Sequence, residues 1–269
     1  MPTLIEAVTS YREQLKDAIE ERGTEGKTAA IRSGKPIQAI HEAVKTALVE
    51  AGVDSRFITP NIGSSKGELT LTGFIKKKRQ DVCVQPSGVH PSSADRLSSL
   101  LTGAKDKLGK AYMERTIAIN VRSQFSSLAK NFDTLFERTV AEAHNLHMNC
   151  PSMVMGEVYM IAAPEFDVKA MGSKIWKPLS QVSIEKYAQA FEAINQRISV
   201  EGDEYKYERV CLLVVDFRPE IPIIYDTTES LEANGLIAAN SRIDFSSLSW
   251  KGFAKDLLER HNQRFPEAI

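Results

Sequence analysis

The run Val210-Cys211-Leu212-Leu213-Val214-Val215 constrains this chain most. It is far too short to span a bilayer, which takes about 20 apolar residues. A strand with no polar alternation has no face to give to water, so its sheet must be covered on both sides. The rest of the chain supplies the cover. Leu4, Ile5, Val8, Tyr11, Leu15, Ala18 and Ile19 fall at helical spacing, with Gly23 and Gly26 as the expected stop. A second helix is expected after Pro36, ending at Gly52.

Strands are expected at Leu69–Ile75, Asp81–Val84, Thr116–Val121, Met153–Ala162 and Val210–Phe217. Helices are expected at Ser127–His147, Ser183–Ile198 and Trp250–His261, and residues 92–112 read as a helix or an ordered insertion. Strands alternating with helices give an α/β class, with a mixed central sheet flanked by helices. No linker forces a division. The expectation is one domain over 1–269, with a helical N-terminal part (1–52), a core (53–217) and a C-terminal extension (218–269).

Composition narrows function little. The net charge of −1 over 269 residues demands no polyanionic partner and excludes none, because a nucleic-acid binder needs only a local basic surface. Cys83, Cys150 and Cys211 form no CxxC pair, which argues against a disulfide framework or a zinc site. Buried free thiols and a cytoplasmic location are expected. The N-terminus, with Glu6, Arg12 and Glu13, lacks the apolar core of a signal peptide.

Phosphate-binding glycine loops and HExxH are absent. His144 and His147 stand three apart on one expected helix, and helix-surface or packing roles are the expectation. Two segments carry more chemistry. In Gly73 to Val84 four cations, Lys76, Lys77, Lys78 and Arg79, precede Asp81 at the mouth of an apolar strand. In Ile117 to Gln124 a second apolar strand presents Asn120 and Arg122 on one face. If the strands are neighbours, an acid, an oxygen donor and a cation meet one phosphate. Magnesium takes hard oxygen ligands, and phosphodiester cleavage needs charge at the phosphate.

This layout resembles the PD-(D/E)xK nuclease core, most closely the XhoI-like type II restriction endonucleases. The resemblance rests on Gly73–Val84, on Arg122-Ser123-Gln124 followed by Asn131-Phe132-Asp133 and Glu137, on Gly156–Ile161, and on Tyr205–Cys211, in that order over about residues 70–217. It implies a restriction-endonuclease-like core and Mg²⁺-dependent, sequence-specific cutting of double-stranded DNA. It also implies a cognate DNA methyltransferase to protect the host, and a homodimer whose contacts are expected from the opening and last helices.

By carry-over Asp81 is the first metal-binding acid. Asn120 stands where the second acid belongs, and Arg122 where the lysine belongs. Ser123 and Gln124 are expected to orient a neighbouring phosphate or water, and Lys76 to Arg79 to touch phosphates. The missing acid is sought first in Glu68 or Glu137, and less readily in Glu42. Arginine holds a phosphate but cannot act as a base. The alternative is therefore a catalytically weak or inactive DNA-binding protein on the same fold. A helix-rich interaction protein with an accidental resemblance is the third reading.

Overall fold

The computed structural model describes residues 1–95, 100–180 and 183–266. The elements run α1 (Leu4–Ser33), α2 (Lys35–Glu50), β1 (Ile58–Thr59), β2 (Thr70–Thr72), β3 (Lys77–Arg79), β4 (Val82–Val84), β5 (Ala94–Asp95), β6 (Lys105–Asp106), α3 (Lys110–Glu114) and β7 (Ile117–Gln124). They continue with α4 (Leu128–His147), β8 (Val154–Ala162), α5 (Val168–Gly172), α6 (Glu185–Ala193), β9 (Arg209–Asp216), β10 (Ile223–Tyr225), α7 (Thr228–Ala233) and α8 (Phe253–Arg264).

The central sheet has the order β1-β4-β7-β8-β9-β10. Strands β7, β8 and β9 are parallel, while β4 and β10 flank them antiparallel, so the sheet is mixed and the class is α/β. All nine residues of β8 and all eight of β9 are buried, as the unbroken apolar run requires. One face of the sheet packs on α1, α2 and α8 through Val8, Leu15, Ile40, Val44, Phe253 and Leu257. The other packs on α4 and α6 through Phe132, Ala143, Leu146, Tyr187 and Phe191.

Several elements differ from the sequence expectation. The first helix does not stop at Gly23. That residue takes φ 61°, ψ −140° and kinks the chain, and the helix then resumes to Ser33, where Gly34 caps it in the left-handed conformation. The cationic run is itself a strand, β3, hairpinned to β2 with Thr72 opposite Lys77 and Thr70 opposite Arg79. Within 92–112 the chain forms the β5–β6 ribbon and α3, and residues 96–99 lie outside the described residues.

The C-terminal part is no mere extension, because β10 borders β9 and α8 packs across β8 and β9. A Cβ on Gly156 of β8 would lie 2.9 Å from Leu257 and 3.0 Å from Phe253. The apolar faces of α1 and α8 are buried within the chain. All three cysteines are buried free thiols. Among the described residues no helix is long and apolar enough to cross a membrane.

Candidate functional site

Strand β4 begins at Val82, opposite Ile119, so Asp81 falls beside Asn120 where the ladder stops. The Asp81 carboxylate takes over from the backbone there and accepts a hydrogen bond from the Val121 N–H at 2.8 Å. On the other side of β7, Asn120 is the register partner of Glu157 on β8. Side chains in register on adjacent strands share a face, here the one with Ala118 and Met155 beneath α4. Asp81, Asn120 and Glu157 therefore form one row across three neighbouring strands.

Glu157 is 0% exposed, and neither of its carboxylate oxygens has a hydrogen-bond partner within ordinary geometry. Arg122 Nη1 lies 3.4 Å from its Oε1. Burial pushes the Glu157 carboxyl up to about 7; Arg122 pulls it down and the charge of Asp81 adds to the rise. Burial also opposes the charge on Arg122, but Glu157 and Asp81 outweigh it and hold the guanidinium above its usual value. Glu142 on α4 completes the cluster, ion-paired to both Arg122 and Lys78. Three carboxylates (Asp81, Glu142, Glu157) thus meet two cations (Lys78, Arg122), one positive charge short when all are ionised. The raised value at Glu157 comes first from its burial, and the neighbouring charge of Asp81 adds to it.

Asp81 also lines an open cavity of about 550 Å³ with Glu68, His41, Gln38, Lys35 and Gln14. His41 is buried, and neither ring nitrogen has a hydrogen bond among the described residues. Burial holds its imidazole below the ordinary value, against the pull of Asp81. A second cavity, of about 260 Å³, lies past the α1–α2 corner and is lined by Tyr11, Ile37, Arg122, Ser123, Arg138 and Tyr159.

The structure brings Asp81, Asn120 and Arg122 together, and places Glu68 in the cavity with Asp81, where it also pairs with Arg79 at 3.4 Å. It separates the rest. Gln124 is internal scaffolding: its Oε1 accepts from the hydroxyls of Tyr159 (3.1 Å) and Tyr187 (2.7 Å), and its amide donates to the Ser127 and Leu128 carbonyls. Ser123 turns to the opposite face and takes the Tyr11 hydroxyl at 3.0 Å. Glu137 is exposed on α4 and joins the site through no hydrogen bond or ion pair among the described residues. Glu42 is committed to Lys45 and to the Gly63 N–H.

The basic run divides. Lys78 turns inward to Glu142, whereas Lys76, Lys77 and Arg79 are exposed. His147 packs inside with its ring nitrogens 3.0 and 3.2 Å from the Glu204 and Met153 carbonyl oxygens, as a packing role requires.

Sequence reasoning missed Glu157, Glu142 and Asn145. Asn145 clamps the turn ahead of the basic strand: its Oδ1 accepts from the Ile75 and Lys76 N–H groups, and its Nδ2 donates to the Lys76 carbonyl. Glu157 did leave a signal, a lone charge inside an otherwise apolar strand, and such residues are almost never fully buried without cause. Among the described residues no group of three or more His, Cys, Asp or Glu side chains could hold a metal ion. Compared with known proteins, the chain matches no family model, no curated protein and no solved structure.

Proposed function

We propose that this protein is a Mg²⁺-dependent endonuclease of double-stranded DNA with a restriction-endonuclease-like core, in which Glu157 replaces the acid missing at Asn120. The observation that carries the reading is the fully buried Glu157 carboxylate, held by a 3.4 Å contact to Arg122 and no hydrogen bond of ordinary geometry, in one row with Asn120 and Asp81. A carboxylate left without hydrogen bonds in the interior is costly unless more counter-charge comes to it. The donor set fits a hard divalent ion: two carboxylates and an amide, all oxygen ligands. Glu142 is taken up by Lys78 and Arg122, so the remaining ligands come from water and the DNA phosphate.

When bound, Mg²⁺ supplies a Lewis acid for the phosphate and lowers the pKa of its water. Asp81 and Glu157 hold the ion. Asn120 positions water or an oxygen without adding charge. Arg122 presents a permanent positive charge to the scissile phosphate and stabilises charge developing there. It is pre-placed by Glu142, which also fixes Lys78. The exposed Lys76, Lys77 and Arg79 supply phosphate contacts along the duplex. Two copies related by a two-fold axis would cut both strands of a symmetric site. The test is incubation with supercoiled plasmid and Mg²⁺: nicked or linear product is expected, and intact plasmid at stoichiometric protein ends the proposal.

A specific observation favours a second reading, a weakly cutting or non-cutting DNA-binding protein. Arg122 is already paired with two glutamates, and Glu157 is sealed from solvent. Salt-sensitive retention of duplex DNA without cleavage would select it.

A further inference from the structure

The cavity beside Asp81 has two unlike walls. Ser65, Glu68 and Asp81 form one. The other is the α1–α2 corner, Ser33 to Gln38, with His41 one turn further along α2. At that corner Gly34 takes φ 72°, and Ser33 Oγ accepts the Lys35 N–H at 3.2 Å at the start of the 16-residue helix α2. Pro36 has no N–H to offer, and the first-turn N–H of Ile37, at the positive end of the helix dipole, has no hydrogen-bond partner among the described residues. Lys35 stands exposed on the same rim, with no ion pair among the described residues. His41, only 8% exposed, lines the cavity with a sealed Nε2 that has no hydrogen bond. A buried imidazole nitrogen with no hydrogen-bond partner calls for an explanation, and a ligand in the cavity supplies one.

We propose that this corner is a backbone subsite for nucleic acid, seating the phosphodiester that flanks the one at Asp81. The inference rests on the nuclease or DNA-binding reading above. Lys35 contributes charge, the Ile37 N–H and the helix dipole contribute direction, and His41 donates through Nδ1, the ring nitrogen that is not sealed, to a phosphate oxygen. The acidic wall keeps the flanking phosphate away from Asp81 and Glu68 and leaves that side to a cation. Phosphate contacts carry no sequence information, so any duplex tests them.

The probe is a fluorescein-labelled random-sequence duplex, with affinity read by anisotropy between about 50 and 200 mM salt and Ca²⁺ in place of Mg²⁺. Lys35→Ala is expected to lower the slope of log affinity against log salt by about 0.9, one phosphate's worth of released counterions, and Lys35→Arg to keep it. His41→Ala is expected to weaken binding by about 5- to 10-fold at fixed salt, the loss of one hydrogen bond. An unchanged slope in Lys35→Ala overturns the subsite, and so does unchanged affinity in a folded His41→Ala. Lys35 is exposed, so its variant stands as the test even where the His41 variant does not fold. Absence of any duplex binding by the wild type is a different result, because it removes the DNA reading as a whole.

Discussion

Asn120 and Glu157 are register partners on adjacent parallel strands, and together they present a neutral amide and a fully buried carboxylate, 3.4 Å from Arg122, to one side of the sheet. The acid absent from one strand is present one strand over. The pair turns a departure from the nuclease pattern into a measurable electrostatic expectation.

Glu157 retains its proton up to about pH 7 in the folded chain, whereas the unfolded chain releases it near 4.5. Its folded value is raised, so its contribution is most favourable below pH 4.5 and declines as pH rises to about 7. A shift of that size corresponds to on the order of 3 kcal/mol. His41 and His261, both held below their ordinary values, push the other way through part of this window. The clean comparison is therefore wild type against Glu157→Gln. Urea unfolding at pH 5 and pH 8 is expected to show the variant gaining on the wild type by roughly that amount as pH rises. Parallel pH curves would mean that Glu157 is compensated in a way its surroundings do not reveal.

A second buried cluster makes the opposite expectation. Glu208 accepts from Arg197 at 3.0 Å, Arg264 at 2.7 Å and the Met155 N–H at 2.7 Å, with His147 3.5 Å away. Burial alone would raise its carboxyl, but His147, Arg264 and Arg197 bring it down to about 2. A depressed acid contributes stability that is present above pH 4.5 and lost as pH falls towards 2. Glu208→Gln is expected to flatten that acid limb. At pH 7 it is expected to cost about 3–5 kcal/mol by stranding buried arginines. Acid unfolding followed by circular dichroism reads both effects.

Gln124 was legible as a polar residue ending a strand, and its role was not. Sequence order suggested a catalytic amide; the folded chain gives its oxygen two tyrosine hydroxyls and its nitrogen two helix carbonyls. Gln124→Leu is therefore expected to lower stability by about 2–4 kcal/mol and leave duplex affinity within about twofold. A folded, fully stable variant that lost DNA binding would restore it to the site.

The apolar strands were readable because burial on both faces leaves a continuous run, and β8 and β9 follow it residue by residue. The long helix over Leu128–His147 was readable from its period. Neither short edge strands nor register can be read this way. Ile58–Thr59 and Ile223–Tyr225 are too brief to show alternation, and the pairing of Asn120 with Glu157 depends on a parallel crossover 37 residues apart in sequence (157 − 120 = 37). Local pattern carries no information about such a distance. Glycine was half legible: Gly23 does break the helix, where the chain passes close to the Met171 carbonyl, but the helix then resumes to Ser33.

Asp81 decides the proposed chemistry, and the choice of substitution matters. Its Oδ2 accepts the Val121 N–H, so Asp81→Ala removes a charge and also orphans a backbone donor, at about 1–3 kcal/mol. Asp81→Asn keeps an oxygen acceptor for that N–H and removes only the charge. It is expected to abolish plasmid cleavage in Mg²⁺ while holding random-sequence duplex affinity within about twofold, because phosphate contacts lie elsewhere. In calorimetry the free wild-type protein is expected to bind Mg²⁺ weakly. Only two carboxylates face the ion, Arg122 adds a fixed positive charge beside them, and the third anionic oxygen comes with DNA. Duplex should therefore tighten Mg²⁺ binding in the wild type but not in Asp81→Asn. Full cleavage by Asp81→Asn would move the site away from this row of residues. Tight Mg²⁺ binding without DNA would mean that Glu68, which shares the cavity with Asp81, completes the donor set.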